Sequence, residues 1–327
     1  MYDVISVGSA TLDVFAKTRF SELIKIIDPK GETDLLAFPS GTKILIDELD
    51  FTTGGGGTNT AVALARLGHK VAFVGKLGND TSSEFIHKSL EKEKIRLLCV
   101  KGKGQSGYSV VLDTLEHDRT ILVYKGVNDQ LNSKEVPYKK LKTKWFYFSA
   151  MMNESYNTLE KLADFAQKKK IKIAFNPSIY LAEKGRKYLG KILSRTDFLA
   201  LNKEEAKLIA GNYSPEQLLI KLRGLGPKIV AITVGKDELH VIDENHIYAA
   251  KPPFVKVVDS TGAGDAFAAS FLSGILRKNN VEFAIKLGIV NSISVITNYG
   301  AKNILLAFNG VMKEMKKLKI VVHKKRI

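Results

Sequence analysis

The sequence predicts an α/β fold, a doubly wound, mostly parallel sheet flanked by helices. Three observations carry this reading. Residues 145–149 and 172–177 read as strands, and between them lies an amphipathic helix, 157–169, with Leu159, Leu162, Phe165 and Ala166 on one face. Residues 197–202 form a further strand pattern that runs straight into a helix start. A glycine turn at 262–264 joins another apolar run to a helix of small residues. Such alternation requires crossover connections, hence parallel strands with helices on both faces. Ligands of these sheets bind off the carboxyl ends of the strands, where Asn176, Asn202 and Asp259 fall.

The chain has 327 residues and is 45% hydrophobic, enough for one large α/β unit with a smaller attachment. Its one cysteine, Cys99, sits in an apolar run, so no intrachain disulfide can form and a reducing, cytoplasmic setting is expected. The amino terminus lacks a basic leader, and no stretch approaches the roughly 20 apolar residues of a membrane span, so no membrane partner is expected. Net charge is +16, but the lysine clusters at 139–144, 168–172 and 313–325 lack interleaved aromatics. They read as solvated surface that draws anions rather than as a nucleic-acid interface.

Taken in order, residues 4–8 open as a strand, and 9–14 follow without a helix start; Asp13 suits a turn. Residues 20–43 are less regular and carry turn signals at 28–31 and 39–41, and 43–51 reads as one or two short strands. Four glycines, 54–57, lead into an Ala/Leu-rich helix that Gly68 ends. They let backbone approach a ligand closely, yet the Lys-Ser/Thr ending of a P-loop is absent. A strand at 71–74 and a helix from 81 to about 94 come next. Residues 102–107 spell GxGxxG, but a strand pattern at 108–113 follows instead of the helix a dinucleotide site needs. A second strand, 119–124, returns after a turn at 116–118, where His117 is expected to be exposed. Asn202 suits a helix cap with Glu205 completing a capping box. Strand 229–234 leads to Gly235, and residues 254–258 read as the end of a strand before a helix at 266–276. A last small-residue helix, 288–296, contains Asn291.

The stretch 259–265 holds the most chemistry. A glycine turn at a helix start leaves backbone N–H groups pointing one way at the positive end of the helix dipole. That arrangement suits a phosphate or a developing phosphoryl transition state. Asp265, in the first turn, can serve as a helix-terminal charge or take the proton from an attacking hydroxyl.

Asp-Ser-Thr-Gly-Ala-Gly-Asp at 259–265 resembles the carboxy-terminal signature of the ribokinase-like (PfkB-type) carbohydrate kinase family. Gly54 to Ala61 resembles that family's first signature, and residues 8–13, 75–80, 202–205 and 233–238 match further motifs in order. The resemblance implies a single kinase domain over 1–327 with a small β-sheet lid from about 13–53 and 106–126. It implies Asp265 as catalytic base and Gly262, Ala263 and Gly264 as the phosphoryl cradle. Asp13, Gly55, Gly56 and Asn59 would line the sugar pocket. Asn202, Thr233, Gly235 and Asn291 would face the nucleotide. Glu205 would help hold Mg²⁺ through water, and Asp259 and Thr261 would bind a monovalent cation such as K⁺. ATP is the implied phosphoryl donor, and a homodimer paired through the lid is the implied assembly.

Three departures stand out, two bearing on the acceptor and one, Glu238, on the nucleotide. Gly56 stands where ribokinases usually carry Lys, Glu238 replaces the second glycine of the nucleotide loop, and Met151 or Met152 stands where a Glu is usual. A sugar hydroxymethyl group is the expected acceptor. A nucleoside, its base near the methionines and Tyr108, is the rival, and a non-catalytic binding or scaffold protein is the alternative outside enzymes.

Overall fold

The computed structural model describes the 327 residues apart from 21, 29–30, 114–118 and 299. The turn holding His117 therefore lies outside the described residues. The chain opens with β1 (Tyr2–Val7), an interior strand of the main sheet with Val4, Ile5 and Val7 buried. β2 (Thr11–Lys17) follows, then an exposed hairpin of β3 (Glu22–Asp28) and β4 (Gly31–Ala37), and β5 (Glu48–Gly54). The expectation of irregular chain across 20–43 is thus corrected. Ile24 and Ile26 of β3 pair across to Leu35 and Thr33 of β4, and the ladder ends at the Asp28–Gly31 pair.

Helix α1 (Gly56–Arg66) starts inside the glycine run, and its buried Ala61, Val62, Ala63 and Leu64 pack it on the sheet. β6 (Val71–Val74) and β7 (Lys76–Leu77) precede α2 (Thr81–Lys92), capped by Asp80. Then come β8 (Arg96–Leu97), β9 (Val100–Lys101), β10 (Gly107–Asp113) and β11 (Arg119–Tyr124). β10 follows the GxGxxG string directly, as expected of a string that does not open a helix. The alternating half comprises β12 (Thr143–Phe148), α3 (Asn153–Lys169), β13 (Lys172–Phe175), α4 (Ser178–Ala182), α5 (Gly185–Leu193), β14 (Phe198–Asn202), α6 (Lys203–Ala210), α7 (Pro215–Arg223) and β15 (Ile229–Thr233). β16 (Leu239–Ile242) and β17 (His246–Ala250) form a hairpin. α8 (Ala263–Lys278) and α9 (Val281–Ile296) pack side by side, and α10 (Phe308–Leu318) and β18 (His323–Arg326) close the chain.

The main sheet runs β18-β17-β16-β15-β14-β13-β12-β1-β6-β8. It is parallel from β8 to β15 and antiparallel from there to β18. Two apolar layers cover its faces, one built on α1, α8 and α9, the other on α3, α5, α6 and α7. A second sheet, β11-β10-β2-β5, stands apart. Its register places Thr11, Asp13, Phe15 and Lys17 of β2 on one face with Gly54, Thr52, Asp50 and Glu48 of β5.

The strand expected at 254–258 does not form. Pro252 and Pro253 supply no N–H groups to a ladder, so the chain leaves the sheet after Ala250 and Phe254 is 92% exposed. It returns through Val258, whose N–H donates to Ile296 O at 2.7 Å, and this fixes the start of the 259–265 turn against the end of α9.

Candidate active site

Gly262 is the N-cap of α8 in the left-handed region, φ 77° and ψ 0°. A Cβ there would lie 2.6 Å from Ala301 Cβ, so both the conformation and the packing demand glycine. Ala266 N donates to Gly262 O at 2.8 Å, which starts the helical ladder. The amides ahead of it belong to the unpaired first turn. Ala263 N makes a long turn bond to Ser260 O at 3.3 Å, whereas Gly264 has open space where a side chain would stand. Of the three expected cradle positions, Gly264 is therefore the one most open to an anion.

Gly262, Gly264 and Asp265 line a cavity of about 190 Å³ with Asn176, Asn202, Glu205, Thr233 and Phe267. β14 and β15 bring Asn202 and Thr233 to it from the carboxyl ends of neighbouring parallel strands, where the two residues pair directly. Asn202 and Glu205 form the expected capping box: Glu205 N donates to Asn202 Oδ1 at 2.8 Å, and Asn202 N donates to Glu205 Oε2 at 2.9 Å. Burial, with the Asp265 charge adding to it, pushes the Glu205 carboxyl above its ordinary range. Gly235 sits in the turn after β15 at φ 55°, outside the residues lining this cavity.

The two glycine motifs, about 200 residues apart in sequence, meet at Asp265. Asn59 Nδ2 donates to Asp265 Oδ2 at 2.9 Å. A Cβ on Gly56 would lie 3.0 Å from Ser149 Cβ and 3.5 Å from Asp265 Oδ1, so the bare glycine leaves this approach open. Burial raises the Asp265 carboxyl from 3.8 to about 6, partly offset by the Asn59 hydrogen bond and the Lys302 charge. Asn59 Oδ1 is buried and has no hydrogen-bond partner among the described residues. Such an atom is costly unless something donates to it, and a ligand hydroxyl would. Tyr147 OH is also buried without a hydrogen-bond partner among the described residues, and the Asp265 and Glu205 charges add to burial in raising its pKa.

Asp13 approaches from the second sheet. It is 9% exposed and accepts from Thr11 Oγ1 at 2.7 Å. A Cβ on Gly54 would run into its carboxylate, so Gly54 is glycine to let Asp13 in. Burial raises the Asp13 pKa. Gly55, at φ 93°, turns the chain into α1 hard against Ser9 and Ala10.

Asp259 is buried, with Oδ1 accepting from Thr261 N at 2.8 Å and Oδ2 from Gly300 N at 3.1 Å. It thereby ties the 259–265 turn to the loop after α9. Thr261 Oγ1 has no hydrogen-bond partner among the described residues and is the atom of this pair that suits a cation. Asn291, expected near the nucleotide, is corrected. It lies 0% exposed between α8 and α9, donates to Ser270 Oγ at 2.8 Å and accepts from Leu306 N at 2.9 Å. Both ends of its amide are spent inside the core. Met151, weighed as an acceptor contact, is likewise buried in the core.

Sequence reading missed Lys302 and Ser149. Lys302 is 5% exposed and its Nζ donates to Thr58 Oγ1 at 2.9 Å, under the glycine run. Nothing in its spacing marks it among 50 basic residues. Among the described residues no cluster of three or more His, Cys, Asp or Glu could hold a metal on protein ligands alone. Among the described residues no helix is long and apolar enough to cross a membrane.

An ATP-dependent 6-phosphofructokinase of Thermoanaerobacterium thermosaccharolyticum is 27% identical over 277 residues, covering 82% of this chain and 86% of that protein. A cytidine kinase of Thermococcus kodakarensis is 29% identical over 279 residues, covering 82% and 94%. The structure of Arabidopsis thaliana ribokinase complexed with ribose and ATP superposes with a TM-score of 0.78 at 20% identity, over 96% of this chain and 99% of that one, a likeness of fold. A model of the pfkB family carbohydrate kinases matches residues 21–307, and with it the chain is a member of that family.

Proposed function

We propose that the protein transfers the γ-phosphoryl group of ATP to the hydroxymethyl group of an uncharged sugar or nucleoside held beneath the β11-β10-β2-β5 sheet, which acts as a lid. The observation that carries this reading is the 2.9 Å bond from Asn59 to Asp265 at the mouth of the Asn202–Glu205–Thr233 cavity. It joins a ring-hydroxyl site to a phosphate site through one carboxylate.

The acceptor oxygen attacks the γ-phosphorus as the bond to the β,γ-bridging oxygen breaks. The hydroxyl proton passes to Asp265 and ADP departs with the electron pair. Asp265 orients the hydroxyl as well as accepting its proton, and the Gly262–Gly264 turn offers amides to the equatorial oxygens. Glu205, with the lone-carboxylate setting that Mg²⁺ tolerates when it keeps waters, would hold that ion at the phosphates; bound Mg²⁺ neutralises charge on the polyphosphate. Thr261 is the side chain on which a K⁺ requirement would rest, with Asp259 holding its loop.

The lid cavity argues for an uncharged acceptor. It measures about 260 Å³ and is lined by Phe15, Lys17, Glu48, Asp50, Phe51, Thr52, Gly300 and Asn303. Lys17, its cation, is bonded to Glu48 at 3.3 Å, and Asp50 adds a second carboxylate. A phosphate here would meet net negative charge. The phenyl ring of Phe15, on the Asp13 face of the lid, favours a nucleoside as the second reading, since it offers apolar area to a base. The opposite face of the lid leaves Leu49, Phe51, Leu122 and Tyr124 exposed in register, which supports pairing with the lid of a second copy.

ADP release from MgATP with D-ribose, D-fructose, fructose 6-phosphate, cytidine and adenosine tests the reading. Uncharged acceptors should exceed fructose 6-phosphate. A clear preference for fructose 6-phosphate would overturn the acceptor assignment, and no acceptor-dependent ADP from a wide panel would overturn the kinase assignment.

A further inference from the structure

A buried lysine is expensive unless its charge is used, because moving an ammonium from water into the protein interior costs several kcal/mol before any partner repays it. Lys302 is such a residue, and the phosphoryl-transfer scheme leaves it without a role. Its backbone is pinned. Arg66, itself bridged to Glu93 at 2.6 Å, donates from Nη1 to Lys302 O at 2.8 Å and to Leu305 O at 3.2 Å. From that anchor the side chain runs inward to Thr58 Oγ1. Thr58 Oγ1 in turn donates to Gly54 O, and Gly54 is the residue against which Asp13 packs. The neighbouring residue Asn59 holds Asp265.

The charged groups acting on Lys302 are Asp13 from β2, Asp265 from α8, Arg66 from α1 and Glu93 after α2. Those acting on Asp265 are Lys302, Asn59 as a hydrogen-bond donor, and the Glu205 and Tyr147 groups beside it. Burial presses the Lys302 ammonium down to about 7, while Asp13 and Asp265 pull the other way. In return Lys302 draws both carboxylates toward their charged forms.

We propose that Lys302 is a positioning residue of the transfer reaction, the internal counter-charge shared by the acceptor-binding carboxylate Asp13 and the base Asp265. The inference rests on the kinase reading above. It explains how two buried carboxylates sit in one cleft without either being permanently protonated. It also marks Lys302 as a residue whose cation is committed within the protein and does not serve an anionic group on the acceptor.

The test is the pH profile of kcat/KM from pH 5 to 8.5 for Lys302→Gln, with MgATP and whichever acceptor in the panel turns over fastest. Removing the ammonium should raise the Asp265 pKa, so the acid limb should move up by about one pH unit, with a roughly fivefold deeper loss at pH 6 than at pH 8. A purely structural lysine would lower rates evenly across pH. Lys302→Met, which removes the charge without adding an amide, serves if the Gln protein does not fold. An acid limb unmoved in a folded variant overturns the inference while leaving the kinase reading intact. Wild-type protein without acceptor-dependent turnover overturns both.

Discussion

Replacing Asp265 with Asn should abolish activity and make the fold more stable at neutral pH. Asn is nearly isosteric, and its Oδ1 can still accept the 2.9 Å bond from Asn59. Burial lifts the carboxyl from 3.8 to about 6 in the folded protein. A carboxyl whose folded pKa lies above its unfolded value contributes stability below about pH 4, and that contribution is lost as pH rises through 6. At about 1.4 kcal/mol per pH unit, keeping the ionised form in this site costs up to about 3 kcal/mol at pH 7.5. The counter-charge of Lys302 is already included in that figure, since its pull is one of the influences on Asp265. Asn removes the cost, so the variant should gain about 1–3 kcal/mol over wild type at pH 7.5 and almost nothing at pH 4. Urea denaturation at the two pH values reads the difference. The same variant should lose about 10²–10⁴ in kcat, the usual contribution of a positioned base. A variant less stable than wild type at pH 7.5 would refute the electrostatic reasoning, and kcat near wild type would refute the assignment of the base. In wild type the acid limb of kcat/KM should centre near pH 6, with rates falling as pH drops because the base becomes protonated.

Asn59→Ala removes a buried hydrogen bond to a charged group, worth about 1.5–3 kcal/mol, so kcat/KM for the acceptor should fall roughly 10- to 150-fold with little change in KM for ATP; steady-state kinetics varying each substrate decide it. Gly262→Ala puts a Cβ 2.6 Å from Ala301 at φ 77° and should cost at least about 1 kcal/mol by thermal melting, along with most of the activity, because the cradle and the 300–302 loop move together.

The 259–265 turn, the glycine-rich helix entry and the Asn202–Glu205 cap were legible because each is local. Glycines, a capping pair and an acid at fixed offsets determine backbone direction over fewer than ten residues, whatever the remainder of the chain does. The alternating apolar runs from 145 onward were legible for the same reason, as periodicity reports which face of an element is buried. Two local readings failed where neighbours decided. The run at 254–258 has strand composition, yet Pro252 and Pro253 deny it a ladder and it leaves the sheet. Asn291 looked available to a ligand until the packing of α8 against α9 enclosed it and supplied both its partners.

What the sequence determined by itself was the inventory: a phosphate-type turn, a carboxylate in its first helical turn, a second glycine run, and a sheet to carry them. Only the tertiary structure decided their meeting. Asn59 and Asp265 are 206 residues apart and touch because α1 and α8 lie together on one face of the sheet. Lys302 could not be told from any other lysine until the fold buried it, because desolvation and neighbouring charge depend on what surrounds a group in space and not on what flanks it along the chain.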